Sequence, residues 1–221
     1  MCGRFTLSAN PHAVAALCNL PDIPELVARY NVSPSQRVAA VRQSDGSRSL
    51  TMLKWGLIPS WSKDPKIAFS LINARGETAA TKPAFRSAFK RRRCLIPADG
   101  FYEWKKEGKL KLPYHFRMAD ASPFAFAGLW ESWSPPDGDA VETCTIVTTE
   151  SNDHVKPFHD RMPVILKSES FDRWLDPLYD RTETLSTMLA PYPSGEMTAV
   201  PVSTRVNSPQ NEGPECLVPA D

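Results

Sequence analysis

Proline punctuates this chain: 21 of its 221 residues are proline, so few stretches can sustain a helix, because each interior proline removes a backbone donor and clashes with the preceding turn. Between the prolines lie short segments rich in β-branched and aromatic residues, which read as strands. Candidates are Arg37–Val41, Leu50–Trp55, Cys94–Pro97, Phe101–Lys105, Tyr114–Arg117, Phe124–Leu129, Thr143–Thr149 and Pro163–Leu166. Helices are expected to be short: one over His12–Cys18, one opened by Pro83 with Phe85, Ala88 and Phe89 on one face, one capped by Ser168, and one capped by Thr182 and stopped by Pro191. The expected class is α+β, a single domain over residues 1–221 with a mainly antiparallel, barrel-like sheet and short flanking helices. The stretch Pro135-Pro136-Asp137-Gly138 reads as a loop, and the tail after about residue 207 as irregular.

No charged start leads into an apolar run and no stretch approaches about 18 consecutive apolar residues, so neither a signal peptide nor a membrane span is expected, and the cytoplasm is the expected compartment. Five scattered cysteines without a CxxC pair argue against a disulfide framework or a zinc ribbon. The His154/His159 spacing lacks a third ligand, so no metal and no cofactor are expected. Charge is polarised: residues 1–110 carry 18 Lys+Arg against 8 Asp+Glu, and residues 111–221 carry 8 against 17. A basic half with tryptophans suits a phosphate backbone and stacked bases; equally, the two halves could pair within one compact domain.

The start, MCGRF, places Cys2 directly behind Met1. If Met1 is removed, Cys2 offers a thiol and a free α-amine on adjacent carbons. Three further stretches hold polar groups in apolar or turn-rich surroundings: LINARGET with Asn73 and Arg75 at alternate positions, ADGFYEW with Glu103 between two aromatics, and FHDRMPVIL with His159, Asp160 and Arg161. Each also has an ordinary reading. Asn73 and Arg75 could serve a turn and a surface carboxylate, Glu103 a solvent-facing strand position, and His159 a packed ring beside an ion pair. Lys90–Arg93, KRRR, reads as a solvated helix end or as a phosphate attractor.

Taken in order, MCGRF, RYNVSP (29–34), WGLIPSW (55–61), INARGET (72–78), CLIPADGFYEW (94–104), TIVTTES (145–151) and HDRMPVIL (159–166) resemble the SOS-response-associated peptidase family, which includes abasic-site-processing proteins. The resemblance implies that Cys2, freed of Met1, links covalently to the ring-opened aldehyde of an abasic site in single-stranded DNA as a thiazolidine. It implies proton transfer by Glu103, assistance by His159 in ring opening and Schiff-base formation, and positioning by Asn73. Arg4 and Arg75 would grip phosphates, Pro34, Trp55 and Trp61 would wedge or stack at a single-strand/duplex junction, and Thr148 would touch the backbone. It further implies a monomer acting at the nucleoid in the response to replication-associated damage. The motif LIPSW has one tryptophan where some relatives carry two adjacent aromatics. Rival readings are an N-terminal-nucleophile cysteine peptidase, with self-removal of Met1 as its minimal form; a glutamine amidotransferase-like hydrolase, which also begins Met-Cys-Gly; and a DNA-binding module in which Cys2 is incidental.

Overall fold

In the computed structural model, which describes residues 2–220, the apolar segments become thirteen strands: β1 (Phe5–Leu7), β2 (Arg29–Val32), β3 (Arg37–Ser44), β4 (Ser47–Trp55), β5 (Asn73–Arg75), β6 (Arg93–Ala98), β7 (Gly100–Glu107), β8 (Leu110–Met118), β9 (Phe124–Trp133), β10 (Val141–Glu150), β11 (Arg161–Pro163), β12 (Ile165–Leu166) and β13 (Met197–Pro201). Five short helices join them: α1 (Pro11–Cys18), α2 (Gly76–Ala79), α3 (Arg86–Arg91), α4 (Phe171–Leu175) and α5 (Thr182–Thr187). None of the described helices is long and apolar enough to cross a membrane.

The strands form two sheets. The first is antiparallel, in the order β13-β8-β7-β1-β2; the second has eight strands, along β11-β10-β4-β3-β6-β9-β12 with β5 on the side of β10. The second sheet curls because β10 pairs with β9 and also with the end of β4. It is a partial ring, the expected barrel-like curl without closure: β4 meets β10 only at Thr143↔Lys54 and Cys144↔Trp55, and β3 meets β6 only at Val41↔Leu95. Gly56 turns the chain out of β4 at φ +123°, where a Cβ would stand 2.9 Å from the Ala68 carbonyl oxygen. Only glycine takes that conformation without strain.

The layers follow from alternation along each strand. One apolar cluster lies between the sheets and includes Cys2, Phe5, Phe101 and Phe116 from the first and Leu53, Trp55, Ile96, Phe126 and Ile146 from the second. A second cluster, with Phe85, Ala88, Phe89, Trp174 and Leu185, packs helices on the outer face of the ring. A third, small one joins Tyr102 to Val202, Val206 and Cys216 on the outer face of the first sheet. Phe5 fastens the amino-terminal strand into the central layer, its ring 5.4 Å from Trp55 and 5.8 Å from Phe126. Truncating such a ring to alanine costs about 3–5 kcal/mol.

Local signals explain both ends of α1. Asn10 accepts from the His12 N–H at 2.9 Å and Pro11 occupies the first turn of α1, while Asn19 ends it with φ 50°. Two expected caps differ. Residues 168–170 form a separate 3-10 turn, so α4 starts at Phe171, and Thr182 lies inside α5, after Arg181. Pro83 belongs to the turn before α3, which begins at Arg86. In KRRR, Arg93 is buried and donates to the carbonyls of Trp174 (2.6 Å), Phe89, Lys90, Asp176 and Tyr179. Arg92 pairs with Glu131 and Arg91 with Asp180. That run stitches α3 to the segment around α4, and Arg93 is closed to phosphate.

Part of the polarised charge is satisfied within the molecule: Arg29–Glu212, Arg42–Glu142, Arg48–Asp172 and Arg92–Glu131 each join the basic half to the acidic half. The tail after residue 207 is irregular but held. Glu212 accepts from the Tyr30 and Asn31 N–H groups, and Asn31 Nδ2 donates to the carbonyls of Ser208 and Asn211.

Candidate active site

β7 places the first polar group. Phe101 faces the central layer and Tyr102 the outer cluster, so alternation turns Glu103 inward, where it is 5% exposed. Gly100, the first residue of β7, makes room for the His115 ring, since a Cβ there would lie 1.9 Å from His115 Nε2. β1 runs antiparallel beside it, with Phe5 opposite Phe101 and the Tyr102 N–H on the Arg4 carbonyl at 3.0 Å. Continuing that register sets Gly3 opposite Glu103; the chain before Phe5 is no longer strand, and Cys2, 0% exposed, packs in the central layer.

Electrostatics couple the two. Burial pushes the Cys2 thiol far above its ordinary range, and the Glu103 carboxylate pushes it further. Burial also raises Glu103 to about 7, with Asp160 adding to the rise. A carboxyl group titrating near neutrality can both donate and accept a proton.

β5 supplies the second arm. It pairs in parallel with β10, Asn73 beside Ile146 and Arg75 beside Thr148, so Asn73 and Arg75 share the central-layer side with Ile146 while Ala74 turns outward. Asn73 Nδ2 reaches the Ile146 carbonyl at 3.5 Å, and its Oδ1 is buried with no partner among the described residues. An unsatisfied buried acceptor costs about 1–3 kcal/mol; here it stands ready for a donor from a ligand. Arg75 is exposed.

The third arm is the turn before β11. Phe158 packs on Tyr114 (4.7 Å) and Phe116 (5.0 Å) of β8, beside β7, and so brings His159 and Asp160 up to Glu103. His159 Nδ1 accepts from the Arg161 N–H at 2.9 Å, which in the neutral ring leaves the proton on Nε2. Asp160 Oδ1 lies 2.9 Å from the same Nδ1, a contact that attracts only a protonated ring. Burial outweighs it and lowers the His159 pKa, favouring the neutral form.

The structure thus sets Cys2, Glu103 and the turn bearing His159 and Asp160 near one another, and turns Asn73 toward the same central layer. Three other expected contacts are not available as drawn from the sequence. Trp55 is 1% exposed, packed on Phe5, with its Nε1–H on the Ile72 carbonyl at 2.8 Å, so it offers no face to a base. Thr148 is buried, its hydroxyl on the Ala74 carbonyl. Arg4 donates to Asn31 Oδ1 (2.6 Å) and the Val206 carbonyl (2.7 Å) and lies over Trp104, so its fork is engaged within the protein. Pro34 is partly exposed and Trp61 is 59% exposed.

Sequence reasoning missed Phe69, 71% exposed, on the 3-10 helix Pro65–Ser70. Its signal was present: Asp64 caps the Lys66 N–H beside Pro65, a start that turns Phe69 outward before the chain enters Leu71-Ile72-Asn73. Among the described residues no group of three or more His, Cys, Asp or Glu could hold a metal.

The sequence profile of the SOS response associated peptidase (SRAP) family matches residues 1–209. This chain belongs to that family. Among its SRAP relatives, the abasic site processing protein YoqW of Bacillus subtilis is 43% identical over 221 residues, covering 98% of this chain and 99% of that protein. The abasic site processing protein YedK of Escherichia coli is 33% identical over 226 residues, covering 99% and 100%. The SRAP fold found here is also that of a crystal structure from Bacteroides thetaiotaomicron, with a TM-score of 0.88 at 29% identity over 99% of this chain and 100% of that one.

Proposed function

We propose that this protein processes abasic sites in single-stranded DNA by forming a covalent link through Cys2 once Met1 has been removed. The relatives named for abasic-site processing support the substrate. What supports the chemistry is the setting of Cys2, buried in the central layer, where burial first and the Glu103 carboxylate second push its thiol pKa up. A cysteine peptidase or glutamine amidotransferase needs a thiolate, and this environment opposes one. The α-amine is the better first nucleophile, with an ordinary pKa of about 7.7–8.0.

The steps balance. The amine adds to the aldehyde carbon of the opened sugar, and the carbinolamine loses water to give an imine. The thiol sulfur then adds to the imine carbon while its proton passes to nitrogen, closing a five-membered thiazolidine; the products are the ring and one water. Sulfur and imine belong to one residue, and that proximity favours closure. Glu103, titrating near 7, delivers a proton to the departing hydroxyl, recovers one from the nitrogen as the imine forms, and on ring closure relays the thiol proton to that nitrogen. The His159 Nε2–H donates to the ring oxygen as the sugar opens, and Asn73 Oδ1 accepts from the amine or a sugar hydroxyl. Trp61 and Phe69 provide stacking faces for unpaired bases, and the exposed Arg75 a contact for phosphate. The reading needs no cofactor and no partner subunit, places the protein at DNA in the cytoplasm, and leaves removal of Met1 as a possible self-cleavage by the same groups.

The test is incubation of mature protein with an oligonucleotide holding one abasic site, followed by denaturing electrophoresis. A stable adduct is expected, absent for Cys2→Ala and for protein acetylated at its amino terminus. An adduct of equal yield from Cys2→Ala, or none from the parent, refutes the reading; glutaminase or peptide hydrolysis in its place would favour the rivals.

A further inference from the structure

We infer that Asn152 is a positioning residue for crosslinking, because it fixes the orientation of the turn that carries His159 against the first sheet. This rests on the proposed function and extends it to a side chain not yet given a role. The turn runs from the end of β10 to the start of β11, and the Ser151 N–H closes its neck on the Asp160 carbonyl at 3.0 Å. Within it the Val155 carbonyl accepts from the Phe158 N–H (2.9 Å) and the His159 N–H (3.1 Å), so the His159 backbone follows that of Val155. Asn152 in turn fixes Val155. Its Oδ1 accepts from the His154 N–H at 3.1 Å and the Val155 N–H at 3.0 Å, the capping contact that asparagine makes at the head of a helical turn.

The other half of the amide reaches out of the turn. Nδ2 donates to the Tyr192 carbonyl at 2.7 Å and lies 3.5 Å from Met197 Sδ, so oxygen and nitrogen each have the partners their chemistry requires. Met197 opens β13 and stands opposite Met118 of β8. Phe158, near the far end of the turn, packs on Tyr114 and Phe116 of the same β8. The turn is therefore gripped at both ends. A segment held at one point can pivot about it; a second hold fixes its rotation. Glu103 lies opposite Tyr114 across the ladder, so the rotation set by Asn152 is the angle at which His159 meets the site. A displacement of about 1 Å at a reacting group costs up to about 100-fold in rate.

The experiment uses the mature full chain as the parent, as Asn152→Ala and as Asn152→Ser. Serine keeps an oxygen for the cap but is too short to reach Tyr192, so the turn stays built while its outer hold is lost. Single-turnover crosslinking is measured against the concentration of an abasic-site oligonucleotide. The His159 Cε1–H signal, identified by its absence in His159→Gln, is followed by NMR against pH without DNA. Both variants are expected to lower the saturating rate about tenfold while the half-saturating DNA concentration stays within about twofold of the parent's. Burial holds the His159 pKa below its ordinary value of about 6.5, and in both variants the midpoint is expected to rise toward that value as the ring gains water. An asparagine that only stabilises the fold lowers the thermal midpoint and leaves the saturating rate and the His159 titration unchanged; that result overturns the assignment. So does a slower variant whose His159 midpoint does not move. A parent that gives no adduct overturns the proposed function instead, and the titration, which needs no DNA, then decides by itself whether Asn152 holds the turn.

Discussion

Arg161 grips Glu77 with both ends of its guanidinium, Nη1 on Oε1 at 2.5 Å and Nη2 on Oε2 at 2.9 Å, and Nη2 also donates to the Thr148 carbonyl at 2.7 Å. Glu77 sits in α2, immediately after the strand bearing Asn73, and Arg161 follows the turn bearing His159. The fork therefore joins two arms of the site, while the Arg161 backbone N–H orients the His159 ring. Arg161→Lys, which keeps the charge but loses the fork, is expected to cost only about 1 kcal/mol of stability. Displacement of one arm is expected to slow crosslinking about 10- to 100-fold. Single-turnover rates beside a denaturation curve check this; parallel losses in Glu77→Gln would confirm that the pair acts as a unit.

Glu103→Gln separates chemistry from folding through pH. The folded-state pKa of Glu103 is about 7 against an ordinary 4.5, so the folded protein holds this proton more tightly than the unfolded chain. Its contribution is favourable at low pH and is lost as pH rises through about 4.5 to 7. Glutamine has no proton to lose, so the variant should gain stability relative to the parent between pH 4 and pH 8, by up to about 3 kcal/mol at 1.36 kcal/mol per pKa unit. Crosslinking should fall about 10²- to 10⁴-fold. Urea titrations at several pH values test the first effect; a flat difference would mean that the carboxyl is not raised.

The order of the two nucleophiles is open to a direct test. Cys2→Ser with Met1 removed keeps the amine and loses the thiol. It should give little adduct on a denaturing gel, and recover one when borohydride reduces the imine before denaturation. Failure of borohydride to trap it would make the thiol, and not the amine, the first to attack.

Asn73→Leu removes an amide whose Oδ1 is buried without a partner among the described residues. Thermal denaturation should show equal stability, or a gain of about 1 kcal/mol, since an unsatisfied acceptor is lost. Crosslinking should nevertheless drop. A large loss of stability would show that Asn73 is structural.

Sequence patterning resolved the longer strands because β9 is rich in apolar and aromatic residues and β10 in β-branched ones, and it missed β1, β2 and β13, whose pairing lies in distant neighbours. Cys2, Asn73, Glu103 and His159 were legible as residues but not as neighbours. Glu103 shows why: between Tyr102 and Trp104, alternation suggested two rings inside and a carboxylate outside. The face is reversed because Tyr102 and Trp104 have their own cover, with Tyr102 on the Tyr30 carbonyl and Trp104 on Asn207. Trp55 was misread for a related reason, since an indole with a carbonyl to bond can be wholly internal.

Arg4 ties these observations to the practical handling of the protein. Its carbonyl holds β7 and its guanidinium holds Val206, so the segment at residues 203–219 and the reacting end of the chain are fastened through a single side chain. A truncation that removes residues 203–219 is therefore not remote from the chemistry: it takes away the Val206 carbonyl that anchors the guanidinium two residues from Cys2.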